Sequence, residues 1–234
     1  MIRNTKIYNK KAILFDLDGT LIDSVPDLTL AINDMLLILG RKTFAQDVIK
    51  YWVGNGANVL VKRALSGNIE INKSLDKKLI EEALEIFLKS YSNHLAEATI
   101  TYPYVIETLT ELKQRKYRLV IITNKPSAFV LPILKSLNID NLFEFYLGGD
   151  TLKEKKPNPE PLYYACNKLN ININDAVMVG DSKNDILASN SAKMQSIGVT
   201  YGYNYGESLS DYNPTNIIDN FEELLSIFEE RKDV

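Results

Sequence analysis

The chain has 234 residues, 45% of them hydrophobic and 24% charged, the balance of an ordinary globular protein large enough to bury a core unaided. Twenty-seven basic and thirty acidic side chains leave a net charge of −3 without a block of one sign, which removes the electrostatic basis for a nucleic-acid or membrane-surface role. One cysteine, Cys166, rules out an internal disulfide and a multi-cysteine metal site, and one histidine, His94, leaves any chemistry to carboxylates, hydroxyls and lysines.

At about 150 residues per domain the length corresponds to about 1.6 domains, either one large domain or a core carrying a smaller insert. Arg3, Lys6, Lys10 and Lys11 precede only four apolar residues, too short a run for a secretory signal. No segment has the length of a membrane span, and a cytoplasmic protein is expected. Residues 12–15 (AILF) form a continuous apolar run closed by a polar turn, the pattern of a buried parallel strand. From about residue 27 to 95 no strand is expected. Leu28, Ile32, Met35, Leu36 and Leu39 trace a helix that Gly40 ends. The flexible turn Val53-Gly54-Asn55-Gly56-Ala57 opens another helix through Val59, Leu60, Arg63 and Leu65. Leu75, Leu79, Ala83, Leu84, Phe87 and Tyr91 trace a longer one, with Asn72 or Ser74 as its cap.

The sheet is expected to resume near Tyr102-Pro103. Ile106, Leu109 and Leu112 mark a helix before the strand at 118–123 (RLVIIT), and a further strand is expected at 143–148 (FEFYLG). Leu162, Ala165, Cys166 and Leu169 mark a helix before strands at 176–180 (AVMVG) and 196–200 (SIGVT). Alternation of this kind gives an α/β fold with a Rossmann-like parallel sheet, here interrupted after its first strand by an all-helical insert. The expected division is residues 1–23 and 97–234 as a discontinuous core and 24–96 as the insert.

Four short segments sit at or just past the C-terminal ends of these strands, the edge at which open α/β sheets bind ligands. In Asp16-x-Asp18-Gly19-Thr20, Asp16 suits a nucleophile that forms an acyl phosphate, and Asp18 a general acid and base. A calcium loop is excluded, because Leu21 and Asp27 stand where that motif needs Gly and Glu. Thr123-Asn124 offers a hydroxyl and backbone N–H groups to phosphate oxygens. In Lys155-Lys156-Pro157-Asn158-Pro159 the prolines restrict the backbone, so Lys156 can be aimed at phosphate as a point charge. Asp181 and Asp185, four apart at a strand end and helix start, suit a hard divalent cation such as Mg2+. Taken singly, each segment reads more readily as an ordinary turn, a helix cap or a solvated lysine. Together they form an active-site set.

In that order, DLDGT, TN, KPNP and GDSKND resemble the four motifs of the haloacid dehalogenase superfamily, over nearly the whole chain. The helical insert resembles that superfamily's small helical cap. Leu21-Ile22-Asp23-Ser24, the 53–57 turn, Thr123-Asn124-Lys125-Pro126, Gly148-Gly149-Asp150 and Thr200-Tyr201-Gly202-Tyr203-Asn204 bring it closest to the bacterial phosphoglycolate phosphatases. These hydrolyse 2-phosphoglycolate to glycolate and phosphate with magnesium. The resemblance implies a Mg2+-dependent phosphatase of a small phosphorylated metabolite; a monomer or homodimer is expected. Asp16 would be nucleophile and metal ligand, and Asp18 acid/base and ligand through its carbonyl. Thr123 and Asn124 would hold phosphate, Lys156 would neutralise the nucleophile–phosphate pair, and Asp181 would ligate metal with Asp185 in support. Gly54, Asn55 and Gly56 would approach the substrate from the cap. Tyr104 departs from the pattern, which has Gly after Tyr-Pro, and puts the hinge geometry in question.

Three alternatives keep the chemistry and change the substrate: pyrophosphate, a nucleoside monophosphate, or a sugar phosphate, including mutase transfer. A phosphoaccepting signalling module is a fourth, of another class. His94 and Trp52 read as structural, Cys166 as core and Arg63 as a solvated cap charge.

Overall fold

The computed structural model describes residues 5–229, so Arg3 of the basic N-terminal stretch lies outside the described residues. β1 (Ala12–Phe15) is fully buried along its length, as a strand covered on both faces must be. It lies at the centre of a parallel sheet ordered β5-β4-β1-β6-β7-β8, with β4 Arg118–Ile122, β5 Phe145–Leu147, β6 Ala176–Gly180, β7 Gln195–Val199 and β8 Asn216–Ile218. Successive β1 side chains point to opposite faces. Ile13 and Phe15 join one apolar layer with Val105, Leu109 and Phe221. Ala12 and Leu14 join the other with Leu162, Cys166 and Met178. Each such fully buried Leu, Ile or Phe contributes about 1.5–3 kcal/mol, so the sheet needs no disulfide.

Register decides where function can sit. Phe15 stands beside Ile121 of β4 and Val179 of β6, so the three central strands end level. Asp16, Thr123 and Asp181 therefore leave the sheet at one edge.

Between β2 (Ile22–Asp23) and β3 (Ile100–Thr101) run four helices: α1 Val25–Ile38, α2 Gln46–Lys50, α3 Ala57–Ser66 and α4 Lys77–Asn93. Pro26 in the first turn starts α1, where a missing N–H costs nothing. Gly40, with φ +64°, ends it by letting Arg41 N–H reach back to Leu36 O. The buried stripe of Leu28, Ala31, Ile32, Met35 and Leu36 packs α1 on α4, and Ser90 Oγ of α4 donates to Asp34 of α1 at 2.7 Å. Trp52 is buried edge-on against Phe44, and His94 ends α4 beside Glu97. The interior of this helical segment is continuous with the first sheet layer. No helix of the described residues is long and apolar enough to cross a membrane.

Several expectations are corrected. The parallel sheet does not resume at Tyr102-Pro103 but at β4; before it, β3 pairs antiparallel with β2. This two-residue ribbon joins the chain's entry into the helical segment to its exit, and buried Asp27 fastens it by accepting from Ala98 N, Thr99 N and Thr99 Oγ1. Neither Asn72 nor Ser74 caps α4. Asp76 does, accepting from Leu79 N at 3.0 Å, because the helix begins only where an acceptor meets its third amide. In α5 (Val105–Gln114) the buried stripe is Val105, Thr108, Leu109 and Leu112, leaving Ile106 exposed. β8 adds a sixth strand to the sheet, and the strand expected at 143–148 shortens to Phe145–Leu147. Tyr104 occupies the left-handed region at φ +64°, the conformation that a glycine adopts without strain, at a cost of about 1–2 kcal/mol.

Candidate active site

The site grows from the end of β1. Asp16 N donates to Val179 O at 2.9 Å, which holds its carboxyl at the crevice with the residue 7% exposed. Gly19 permits the turn that follows: at φ +88°, any Cβ there would lie 2.3 Å from the Asp181 carboxylate. Asp181, just beyond β6, accepts from Thr20 Oγ1 at 3.0 Å and from Tyr203 N at 2.7 Å. Asp185 belongs to the first turn of α8 (Lys183–Ala192), where its Oδ2 accepts from the backbone and hydroxyl of Ser182 in a capping box. Its Oδ1 accepts from Lys156 Nζ at 2.6 Å, and the same ammonium stands 3.0 Å from Asp16 Oδ1. Lys156, 2% exposed, thus bridges two carboxylates beneath the crevice floor.

Asp16, Asp181 and Asp185 bring carboxylate oxygens within 4.8 Å of one another, with one lysine among them. Like charges about 4 Å apart repel by several kcal/mol at the effective dielectric of a protein. Burial, with the Asp185 charge adding to it and Lys156 opposing, pushes the Asp16 carboxyl from 3.8 up to about 7. Burial, then Asp16 and Asp185, push Asp181 well above its ordinary value despite the Tyr203 and Thr20 hydrogen bonds. Such a cluster is at ease only when it holds protons or a cation. Its donors are all hard oxygens, the chemistry of a magnesium-type ion. Asp16 and Asp181 fit the role of direct ligands, whereas both Asp185 oxygens already serve Lys156 and Ser182.

Thr123 and Asn124 leave β4 opposite Asp16. Asn124 Nδ2 donates to Lys156 O at 2.9 Å and to Gly54 O at 3.0 Å, tying strand end, lysine loop and helical segment together. Gly54 O also accepts from Asn184 Nδ2, and Gly56 lies so near the Asn124 carbonyl that a Cβ would sit 2.9 Å from it. Both glycines line the cavity that opens onto Asp16 and Asp18. Asn55 does not. Its Oδ1 accepts from Tyr205 Oη and its carbonyl from Lys155 Nζ, because the turn directs it away from the crevice. Arg63 is half-buried and does not line the cavity: it donates to Trp52 O and Ile69 O and lies 5.3 Å over the Tyr205 ring.

Lys125, quoted in the stretch Thr123-Asn124-Lys125-Pro126 without a role, belongs to the site. It is 5% exposed, and its ammonium contacts Asp18 Oδ1 and Oδ2 at 3.0 and 3.2 Å and Tyr91 Oη at 2.6 Å. Asp18 Oδ1 accepts in addition from Ser24 Oγ at 2.6 Å. The one signal was position, directly after Thr123-Asn124. Thr20, Ser24 and Tyr203, also quoted in the motifs without a role, hold carboxylates rather than act themselves.

A family profile described as haloacid dehalogenase-like hydrolase matches residues 13–199. The chain is 54% identical over 220 residues to the phosphoglycolate phosphatase of Colwellia psychrerythraea, covering 94% of this chain and 97% of that protein. It is 46% identical to the phosphoglycolate phosphatase of Psychrobacter arcticus, over 93% and 95% of the two chains. The crystal structure of a predicted phosphoglycolate phosphatase from Haemophilus somnus superposes with a TM-score of 0.88 at 39% identity, covering 94% of this chain and 99% of that one. The acidic strand end, the buried lysine and the carboxylate pair beyond β6 thus agree with sequence and fold alike, and the chain belongs to the haloacid dehalogenase-like hydrolases.

Proposed function

We propose that this chain hydrolyses 2-phosphoglycolate to glycolate and phosphate, with Mg2+ as its cofactor and Asp16 as nucleophile. The observation that carries the reading is the pairing of Asp16, bridged to Asp185 by buried Lys156, with Asp18 at the same crevice. The two relatives named for this activity, at 54% and 46% identity, support the substrate.

Asp16 Oδ attacks phosphorus and the bond to the glycolate oxygen breaks, leaving the phosphoryl group on Asp16. Asp18, as general acid, delivers a proton to the departing alkoxide. It then takes a proton from water, whose oxygen attacks phosphorus and expels the Asp16 carboxylate. Thr123 and Asn124 hold phosphate oxygens, and Lys156 offsets the charge that gathers as dianion meets carboxylate. Asp16, Asp181 and the Asp18 carbonyl, with Asp185 in support, would hold a divalent ion, which would supply further charge neutralisation.

In this reading residues 24–96 form a cap on a core of residues 1–23 and 97–234. The cap moves about the β2–β3 ribbon and is latched by Gly54 O on Asn124 and Asn184. Closure sets the apolar side chains of Leu28, Val53, Leu60 and Phe87 against the cavity and excludes bulk water. Gly54 and Gly56 approach the substrate from the cap, and Asn55 serves the latch. All the named groups come from one chain, so monomer and homodimer work alike. The buried thiol of Cys166 and the lack of disulfides suit the cytoplasm.

The substrate is tested by kcat/KM across small phosphoesters. We expect 2-phosphoglycolate to exceed sugar phosphates, nucleoside monophosphates and pyrophosphate by at least about tenfold. Any of these ahead of it overturns the substrate assignment.

The cofactor is tested without turnover. Asp16 holds its proton in the folded, metal-free protein up to about pH 7 but loses it near 3.8 when unfolded. Between these values the folded state binds more protons, so metal-free stability falls as pH rises. Mg2+ at about a hundred times its Kd should therefore raise the melting temperature by about 5–10 °C at pH 8. At pH 5.5, where protons compete for the same oxygens, the gain should be under about 2 °C. Equal gains at both pH values would contradict the carboxylate site.

A further inference from the structure

The cavity is lined by two unlike sets of side chains: the polar Asp16, Asp18, Thr123 and Asn124, and the apolar Leu28, Leu60, Phe87 and Phe129. Lys125 is the one cationic side chain among the described residues lining this cavity. Lys156 does not share that wall, being occupied beneath Asp16 and Asp185. The floor of Lys125 is built: Tyr91 accepts from its ammonium at 2.6 Å, stacks on Phe87 and meets Phe129 edge-on at 5.0 Å. An ammonium this buried is costly to keep unless its position matters.

We infer that Lys125 determines specificity, binding the carboxylate of the leaving group while Asp16 and Asp18 act on the phosphoryl end. The inference rests on reading the chain as a phosphoglycolate phosphatase. A leaving group two carbons long carries its carboxylate next to the bridging oxygen, so the carboxylate must lie beside whatever protonates that oxygen. Lys125 contacts the carboxylate of Asp18, the group assigned to that proton transfer. The rest of the leaving-group wall is apolar and offers no cation to a carboxylate, which would otherwise be buried unpaired. With three donors, the ammonium keeps Tyr91 and shares the others between Asp18 and the incoming carboxylate. Substrate thus loosens the hold on Asp18 as it binds. A phosphoester with an uncharged leaving group leaves that hold in place and gains nothing from Lys125.

The test compares 2-phosphoglycolate with its uncharged amide, 2-phosphoglycolamide, on the wild-type protein and on Lys125→Met, which keeps the length and apolar stem. For the wild-type protein kcat/KM should favour the acid by at least about 100-fold, as expected where a site is built for a charged partner. In Lys125→Met that ratio should fall at least tenfold, chiefly through the KM of the acid. A wild-type protein that prefers the acid and a variant with the same preference overturn the role of Lys125 and leave the substrate reading intact. Equal turnover of acid and amide by the wild-type protein overturns carboxylate selection itself, whether or not the variant folds. Turnover of neither overturns the phosphoglycolate reading and the inference with it.

Discussion

Asp16→Asn is expected to lower kcat for phosphoester hydrolysis by at least about 10⁴-fold, the scale on which loss of a covalent nucleophile is felt. In the absence of divalent ions the same protein is expected to melt higher than the wild type at pH 8. The two effects have one cause. Asp16 is buried beside Asp181 and Asp185 with only Lys156 to balance three carboxylates. An amide keeps an oxygen for Lys156 Nζ and preserves shape, but it cannot attack phosphorus and carries no charge to repel its neighbours. Lys156 retains Asp185 at 2.6 Å, so no cation is orphaned. Phosphate release measured beside thermal unfolding in EDTA checks both. A variant that is inactive and also several degrees less stable would show that Asp16 is chiefly structural.

Lys156→Met is expected to do the opposite to stability. The ammonium is 2% exposed and touches Asp16 at 3.0 Å and Asp185 at 2.6 Å. Removing one partner of a buried ion pair leaves an uncompensated charge, at a cost of about 3–5 kcal/mol. Here two carboxylates lose their partner at once, with Asp181 close by. Urea unfolding at pH 8 without divalent ions should show a loss of this size, with turnover abolished. At pH 5.5 the loss should shrink, because burial holds Asp16 protonated there and leaves less charge to compensate. A loss independent of pH would assign Lys156 to packing alone.

The strands that position this chemistry were legible because they are buried on both faces, which leaves an uninterrupted apolar run in AILF, in LVII after Arg118 and in AVMVG. Convergence of the four motif segments was legible for the same reason: in a parallel sheet, segments that follow strands emerge at one edge. Pairs too short to show a period were not legible. β2 and β3 have two residues each, and their pairing depends on Asp27 reaching residues 71 and 72 positions away. At 143–148 the apolar run overshot. Phe143 follows a 3₁₀ turn, and the Glu144 carboxylate turns out to pair with Arg118.

In the site, groups that act by their own chemistry could be read from sequence, and groups that matter through what surrounds them could not. A lysine after Thr-Asn has the pattern of a solvated charge. Its burial is not legible because its partners, Asp18 and Tyr91 of α4, lie 107 and 34 residues away in the chain. Arg63 has a charge that could meet a substrate, yet the carbonyls of Trp52 and Ile69 and the ring of Tyr205 use it locally. Asn55 sits in the right turn and faces the wrong way, toward Tyr205. Side-chain direction within a glycine-flanked turn is set by tertiary partners, which spacing does not encode.

The account turns on a phosphoryl group carried by Asp16. Its most direct test is to acid-quench the magnesium-loaded protein during turnover of 2-phosphoglycolate and to map the phosphorylated peptide by mass spectrometry. The account predicts one acid-stable, hydroxylamine-labile phosphoryl group on the peptide containing Asp16, absent from Asp16→Asn. Phosphate release without any such label, or a label on another residue, would contradict it.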